Sequence, residues 1–292
     1  MKKIITIFIL PNEIELYENL MVRLRNSLTM SSDSDFYVDA TLSVADKMVD
    51  WENSSITREE VVNRFTEAST LPGDYFVDEE GEIMGCVSKR RESWKKYPDA
   101  ESFTWIDCDF YFPNETFVYI SHSIKALQSL KINNFILTPQ YVKIWDASWD
   151  ELVNTNFINK PYGYYGGDQN HPDYNAKKDA QCYGQPELQR VKNFKIGGGW
   201  ITTISKALLD KVTIPESFGH YGEEDTFIMA VATNLAKQGI DIQQYLIKNI
   251  VVAQDGKRLL DIKQYDRRKE FRQIALSNFN SELNKLFDEN NI

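Results

Sequence analysis

The run Ile4-Ile5-Thr6-Ile7-Phe8-Ile9-Leu10 is stopped at once by Pro11, Asn12 and Glu13, and Tyr17, Leu20, Met21, Leu24 and Leu28 then recur at helical spacing. A strand that is apolar on both faces has to be covered on both, and a helix following it directly begins a βαβ unit. The same alternation continues down the chain. Phe36 to Leu42 reads as a second strand. Thr57-Arg58-Glu59-Glu60 has the form of a capping box ahead of the apolar face Val61, Phe65 and Ala68. Pro72, Gly73, Gly81 and Gly85 break the next stretch into turns around Tyr75 to Val77. Ser102 to Ile106 is a β-prone run ending in Asp107-Cys108-Asp109. Asn114 is a natural cap for a helix bearing Phe117, Ile120, Ile124 and Leu127, and Phe135 to Leu137 supplies another strand. The expectation is an α/β fold with a mostly parallel central sheet flanked by helices.

From Tyr141 the alternation gives way to a segment rich in Trp, Tyr, Gly and Asn, including Gly163-Tyr164-Tyr165-Gly166-Gly167-Asp168, before Gly197-Gly198-Gly199-Trp200. Ser205 caps a helix through Leu208 and Leu209, and another begins near Glu223 with Phe227, Ile228, Val231 and Leu235. A charged C-terminal helix carries the stripe Leu276, Phe279, Leu283 and Leu286. With no repeat and no linker, residues 1–240 are expected to form one domain, with 241–292 a C-terminal helical extension packed on it. Its 292 residues suffice for such a core.

Lys and Arg number 33 against 43 Asp and Glu, a net charge of −10. That surplus of anions argues against a nucleic-acid partner, because phosphates must be met with cations. Cys86, Cys108 and Cys182 are odd in number and far apart, which fits neither a disulfide framework nor a zinc cage and points to a reducing compartment. No stretch approaches the ~18 apolar residues of a membrane span, and no small-residue cleavage site follows the opening run. The expectation is a cytoplasmic protein that is not integral to a membrane.

Two constellations carry chemistry. Asp107 and Asp109, at a strand end that bends into a loop, offer hard oxygen ligands to one Mg²⁺ or Mn²⁺, an ion that bridges diphosphate oxygens. Farther on, Phe218-Gly219-His220-Tyr221-Gly222 leads into Glu223-Glu224-Asp225 at a helix start. One acid is enough to meet a helix dipole; three behind a glycine turn place at least one toward a cleft, where a carboxylate takes a proton from a hydroxyl.

In these residues the chain resembles the nucleotide-sugar-dependent glycosyltransferases of the GT-A (Rossmann-like) fold, nearest the inverting family-2 type and its galactosyltransferase relatives. The resemblance spans Lys3 to Leu235. It rests on the strand before Pro11-Asn12-Glu13, the basic Lys89-Arg90-Arg91, the D-x-D acids and the block from Gly-Gly-Gly-Trp to Gly222-Glu223-Glu224-Asp225. It implies that Asp109 ligates the metal and that Asp107 meets the ribose, or the metal through water, with Cys108 between them at the nucleotide-sugar. Pro11 and Glu13 border the nucleotide, Asp39 binds base or ribose, and Arg91, or its neighbour Arg90, holds the donor. Gly199, Trp200 and Tyr221 line the acceptor side, Glu224 binds acceptor or sugar hydroxyls, and Asp225 is the base. Many relatives add a histidine ligand after the acidic block; here no His follows His220, and Asp255, or Gln254 beside it, stands in that place.

The resemblance thus implies a metal-dependent hexosyltransferase that moves a sugar from a nucleotide-diphosphate sugar to the hydroxyl of a glycan or another acceptor, with inversion. Two other readings compete. A haloacid-dehalogenase-type phosphotransferase also uses two strand-end aspartates, but expects Thr or Val where Tyr111 stands. A non-catalytic carbohydrate-binding protein would use the tyrosine-rich segment as its platform and need neither metal nor base.

Overall fold

Strand β1 (Lys3–Ile9) buries isoleucines on both faces: Ile5, Ile7 and Ile9 enter one apolar cluster and Ile4 another. That is the pattern of a strand central to a sheet. The computed structural model describes residues 1–46, 51–79, 85–141, 175–191, 201–254 and 268–288. Gly199, Trp200, Asp255, Gly81, the 163–168 segment and His171 lie outside these residues.

Helix α1 (Ile14–Ser31) follows β1 and leads to β2 (Phe36–Ser43); α2 (Arg58–Ala68) then leads to β3 (Gly73–Asp78), and the three strands pair in parallel. Thr57 caps α2, its hydroxyl accepting from the Glu60 amide. Helix α3 (Cys86–Lys96) returns the chain across the sheet to β4 (Ser102–Ile106), which pairs parallel to β1 on the side away from β2. After the two-residue β5 (Phe110–Tyr111) come α4 (Thr116–Ser129) and β6 (Phe135–Tyr141). The short α5 (Ala176–Asp179) and β7 (Cys182–Arg190) precede β8 (Ile201–Ser205), α6 (Lys206–Val212), α7 (Glu224–Lys237), β9 (Gln243–Gln254) and α8 (Arg268–Asp288).

The strand order is β3-β2-β1-β4-β8-β6-β9-β5, with β7 also on β9. Strands β3, β2, β1, β4, β6 and β9 run one way, and β8 is inverted between β4 and β6. Parallel ladders carry most of the paired residues, so the fold is α/β with a mostly parallel sheet. Residues of α1, α2 and α4 fill the cluster on one face, and those of α6 and α7, with Val87 of α3 and Ala275 of α8, fill the other.

The structure refines several expectations. The stretch after Pro72, read as turns, contains edge strand β3. The helix read from Asn114 begins at Thr116, because the Thr116 hydroxyl and amide both turn back to the Pro113 carbonyl. On α8, Phe279, Leu283 and Leu286 pack on the core as expected, whereas Leu276 is exposed and Phe271 and Ala275 are buried in its stead. Strand β9, beyond residue 240, pairs with β6, β7 and β5 and so belongs to the same sheet. Among the described residues no helix is long and apolar enough to cross a membrane.

Candidate active site

Because β1 is followed by strands on one side and β4 enters on the other, strand order reverses between these two. In open α/β sheets the crevice outside the carboxyl ends of strands at such a point is where ligands bind. Ile106, the last residue of β4, pairs with Ile7, so Asp107 emerges at the rim beside the end of β1. Pro11 and Glu13 form the turn closing β1. Pro11 is buried, and a Glu13 carboxylate oxygen accepts from the Leu10 amide at 3.0 Å. The Cys108 thiol points back to the Phe8 carbonyl at 3.8 Å, and burial pushes its pKa well up, which keeps it a neutral thiol.

The D-C-D acids sit in different surroundings. The Asp107 side chain is 40 % exposed, and Asp109 is buried, with Oδ2 accepting from the Gln254 side-chain amide at 2.8 Å. That amide comes from the last residue of β9, which pairs with Phe110. Three strand ends, β1, β4 and β9, thus meet at one rim.

Arg90 of α3 joins this corner to the second acidic block. Its guanidinium donates from Nη2 to Asp107 Oδ1 at 3.2 Å and from Nη1 to Glu224 Oε1, while its Cζ lies 4.9 Å from the centre of the Trp105 ring. Both Arg90 and Glu224 are buried, so each charge depends on the other. The Glu224 carboxyl is nonetheless pushed up to about 7: burial raises it most, the Arg90 cation opposes, and the neighbouring Asp225 anion adds to the rise. Partial enclosure at the rim also raises Asp107, against the pull of Arg90 and with a further push from Asp225. Asp225 itself is raised by burial, opposed by the amide of Thr226, which donates to Oδ1 at 2.6 Å. Arg90, in contact with Asp107 and Glu224 at once, is what brings the two acidic corners together.

Two residues proposed from the sequence, Arg91 and Asp39, find their partners away from these acids. Arg91 donates to the carbonyls of Pro215 and Gly219 and pairs with Glu216 at 3.0 Å, which ties α3 to the loop before α7. Asp39 lies inside β2, which runs on to Ser43; it is 1 % exposed and meets Lys89 at 2.7 Å and Lys96 at 3.3 Å. Tyr221 is half-buried against the larger apolar cluster.

Sequence reasoning missed the Lys89 and Lys96 pairing, although a spacing of seven puts both on one helix face. It also missed Trp105 as the platform for Arg90, and gave no signal that Arg272 of α8 pairs with Glu223.

Two carboxylates one residue apart are hard oxygen donors, which suits Mg²⁺ or Mn²⁺: such ions need only one or two protein carboxylates when water and phosphate oxygens complete the shell. Among the described residues no group of three or more His, Cys, Asp or Glu is arranged to hold a metal.

No family model matches the chain, and no curated protein matches it. Solved structures do resemble it. S. aureus TarS, residues 1–349, is 14 % identical with a TM-score of 0.46, over 85 % of this chain and 60 % of that one. GalNAc-T7, solved with UDP, GalNAc and Mn²⁺, is 10 % identical with a TM-score of 0.48, over 87 % of this chain and 43 % of that one. A UDP-glucose pyrophosphorylase bound to UDP-glucose is 8 % identical with a TM-score of 0.39, over 96 % and 99 % of the two chains. This chain therefore spans less than two thirds of the first and less than half of the second.

Proposed function

We propose that this chain is an inverting glycosyltransferase that moves a sugar from a nucleotide-diphosphate sugar to an acceptor hydroxyl, with a divalent cation. The observation that carries the reading is the Arg90 guanidinium spanning Asp107 at the end of β4 and Glu224 at the start of α7. The donor lies in the crevice outside β1 and β4, against Pro11, Glu13 and Cys108. Asp109 would ligate the cation directly and Asp107 would meet the ribose, or the cation through water, with Asp255 or Gln254 as the third ligand. A bound Mn²⁺ or Mg²⁺ supplies charge neutralisation for the departing diphosphate.

The acceptor approaches from the side of Gly199, Trp200 and Tyr221, and Glu224 orients its hydroxyls. Asp225 takes the proton from the attacking hydroxyl as the oxygen bonds to the anomeric carbon opposite the leaving nucleotide. A carboxyl raised by burial is a stronger base than one in water and suits that proton transfer. Direct displacement of this kind inverts the anomeric configuration.

Thermal unfolding measured with UDP-, GDP- and dTDP-sugars, with and without Mn²⁺, tests donor binding, because a ligand of the folded state alone raises the melting temperature. A metal-dependent rise with one of them is expected, and no rise with any refutes the donor site. Stabilisation without transfer to any acceptor would instead favour a binding protein, and an NMR spectrum showing a retained anomer would remove Asp225 from its role.

A further inference from the structure

Two consecutive residues before α7 take left-handed backbone: Gly222 at φ 92° and Glu223 at φ 65°. The first is a glycine and adopts it freely. The second has a side chain, and such a residue holds this conformation only where its surroundings over-determine it, on the order of 1–2 kcal/mol above the right-handed alternative. The element that does so comes from the far end of the chain.

Helix α8 lies along residues 217–223, turn after turn. Glu282 accepts from the Ser217 hydroxyl at 2.8 Å, Asn278 donates to the Ser217 carbonyl at 3.0 Å, and Phe279 stacks on Phe218. Phe271 meets the His220 ring edge-on, and Arg272 Nε donates to Glu223 Oε1 at 2.7 Å. The stem of Arg272 packs so closely on Gly222 that a Cβ there would come within 3.2 Å of its Cγ.

Arg272 is 63 % exposed and Glu223 only 10 %. The arginine would lose little in water; the carboxylate would be left enclosed without its partner. Glu223 is the residue at the N-cap position of α7, and the residue after it, Glu224, meets Arg90.

We infer that Arg272 is a positioning residue: it holds Glu223 in the left-handed conformation that aims Glu224 and Asp225 into the site. As a statement about catalysis this rests on the function proposed above, whereas the loop geometry does not. Two substitutions and their combination in the full chain test it, read by amide hydrogen exchange over residues 222–227. Arg272→Ala speeds exchange there about tenfold, and Arg272→Lys, which keeps a cation, speeds it less. Glu223→Gly removes both the carboxylate and the strain, so adding Arg272→Ala to it leaves exchange unchanged.

An Arg272→Ala effect of equal size in both backgrounds would mean that the arginine merely packs α8, and would overturn the inference, as would no effect in either. Transfer is measured on the same proteins with the donor that stabilises the wild type. A roughly tenfold fall in kcat with KM for donor unchanged is expected for Arg272→Ala, and unaltered kcat alongside faster exchange would refute the positioning role. Absence of transfer in the wild type, with the exchange pattern as stated, counts against the proposed function and leaves the loop result standing.

Discussion

Arg90 is the residue on which both acidic corners depend. Removing it leaves the Glu224 carboxylate buried with no cation beside it, so Arg90→Ala is expected to lower unfolding stability in urea by about 3–5 kcal/mol. Adding Glu224→Gln removes the stranded charge, and the double variant should recover part of that loss. Glu224 also links stability to pH. Its folded-state value of about 7 lies above the ordinary 4.5, so between those values the unfolded chain holds fewer protons than the folded one. Stability from this group is therefore greatest at low pH and declines as pH rises from 4.5 to about 7. Urea midpoints taken across that interval should fall in the wild type and flatten in Glu224→Gln. Transfer runs the opposite way: a base must be ionised, so the rate should drop with acid at an apparent pKa above the ordinary aspartate value, belonging to the Glu224 and Asp225 pair together.

Helix α3 shows how tightly its neighbours constrain an element. A Cβ on Gly85, which caps it, would lie 2.1 Å from the His220 carbonyl oxygen, which accepts from the Val87 amide. That oxygen is backbone and cannot swing away. Gly85→Ala is expected to destabilise by about 1–3 kcal/mol and to lower the thermal midpoint accordingly. Strands and helices with an apolar period were legible in the sequence: β1, β2, α2 with its Thr57 cap, and α6 with Ser205 as its cap all stand where residue pattern places them. Helix α3 was not, because the residues it buries, among them Lys89, Arg90 and Arg91, are charged and leave no apolar stripe to read. Strand β7 was hidden for a related reason: it is half-exposed and interrupted by Gly184 and Pro186, so its pairing with β9 depends on a partner far along the chain. In the site, the acids were read from their places at a strand end and a helix start together with the resemblance. Which basic residue meets them could not be read, since Arg90 and Arg91 are adjacent and helical geometry sends one to the acids and the other to the loop 215–219.

At the scale of the whole molecule, α8 belongs to the core. Ala275 is fully buried, and Phe279 packs on both Phe218 and Phe227. A chain cut after Gln254 would expose those faces, and is expected to bind a hydrophobic dye strongly and to unfold at a lower temperature than the full chain. An equal midpoint and no dye binding would show that α8 is dispensable for stability.

The inverted direction of β8 decides which segments are free to vary. Its first residue, Ile201, stands opposite Ile106, so the chain enters this strand at the rim bearing the acids and leaves it at the far rim, where Ser205 opens α6. Changes at the Ile201 end of this strand are therefore felt at the rim bearing the acids, and changes at the Ser205 end are not. Diversifying such a chain toward new ligands should begin at the Ile201 end.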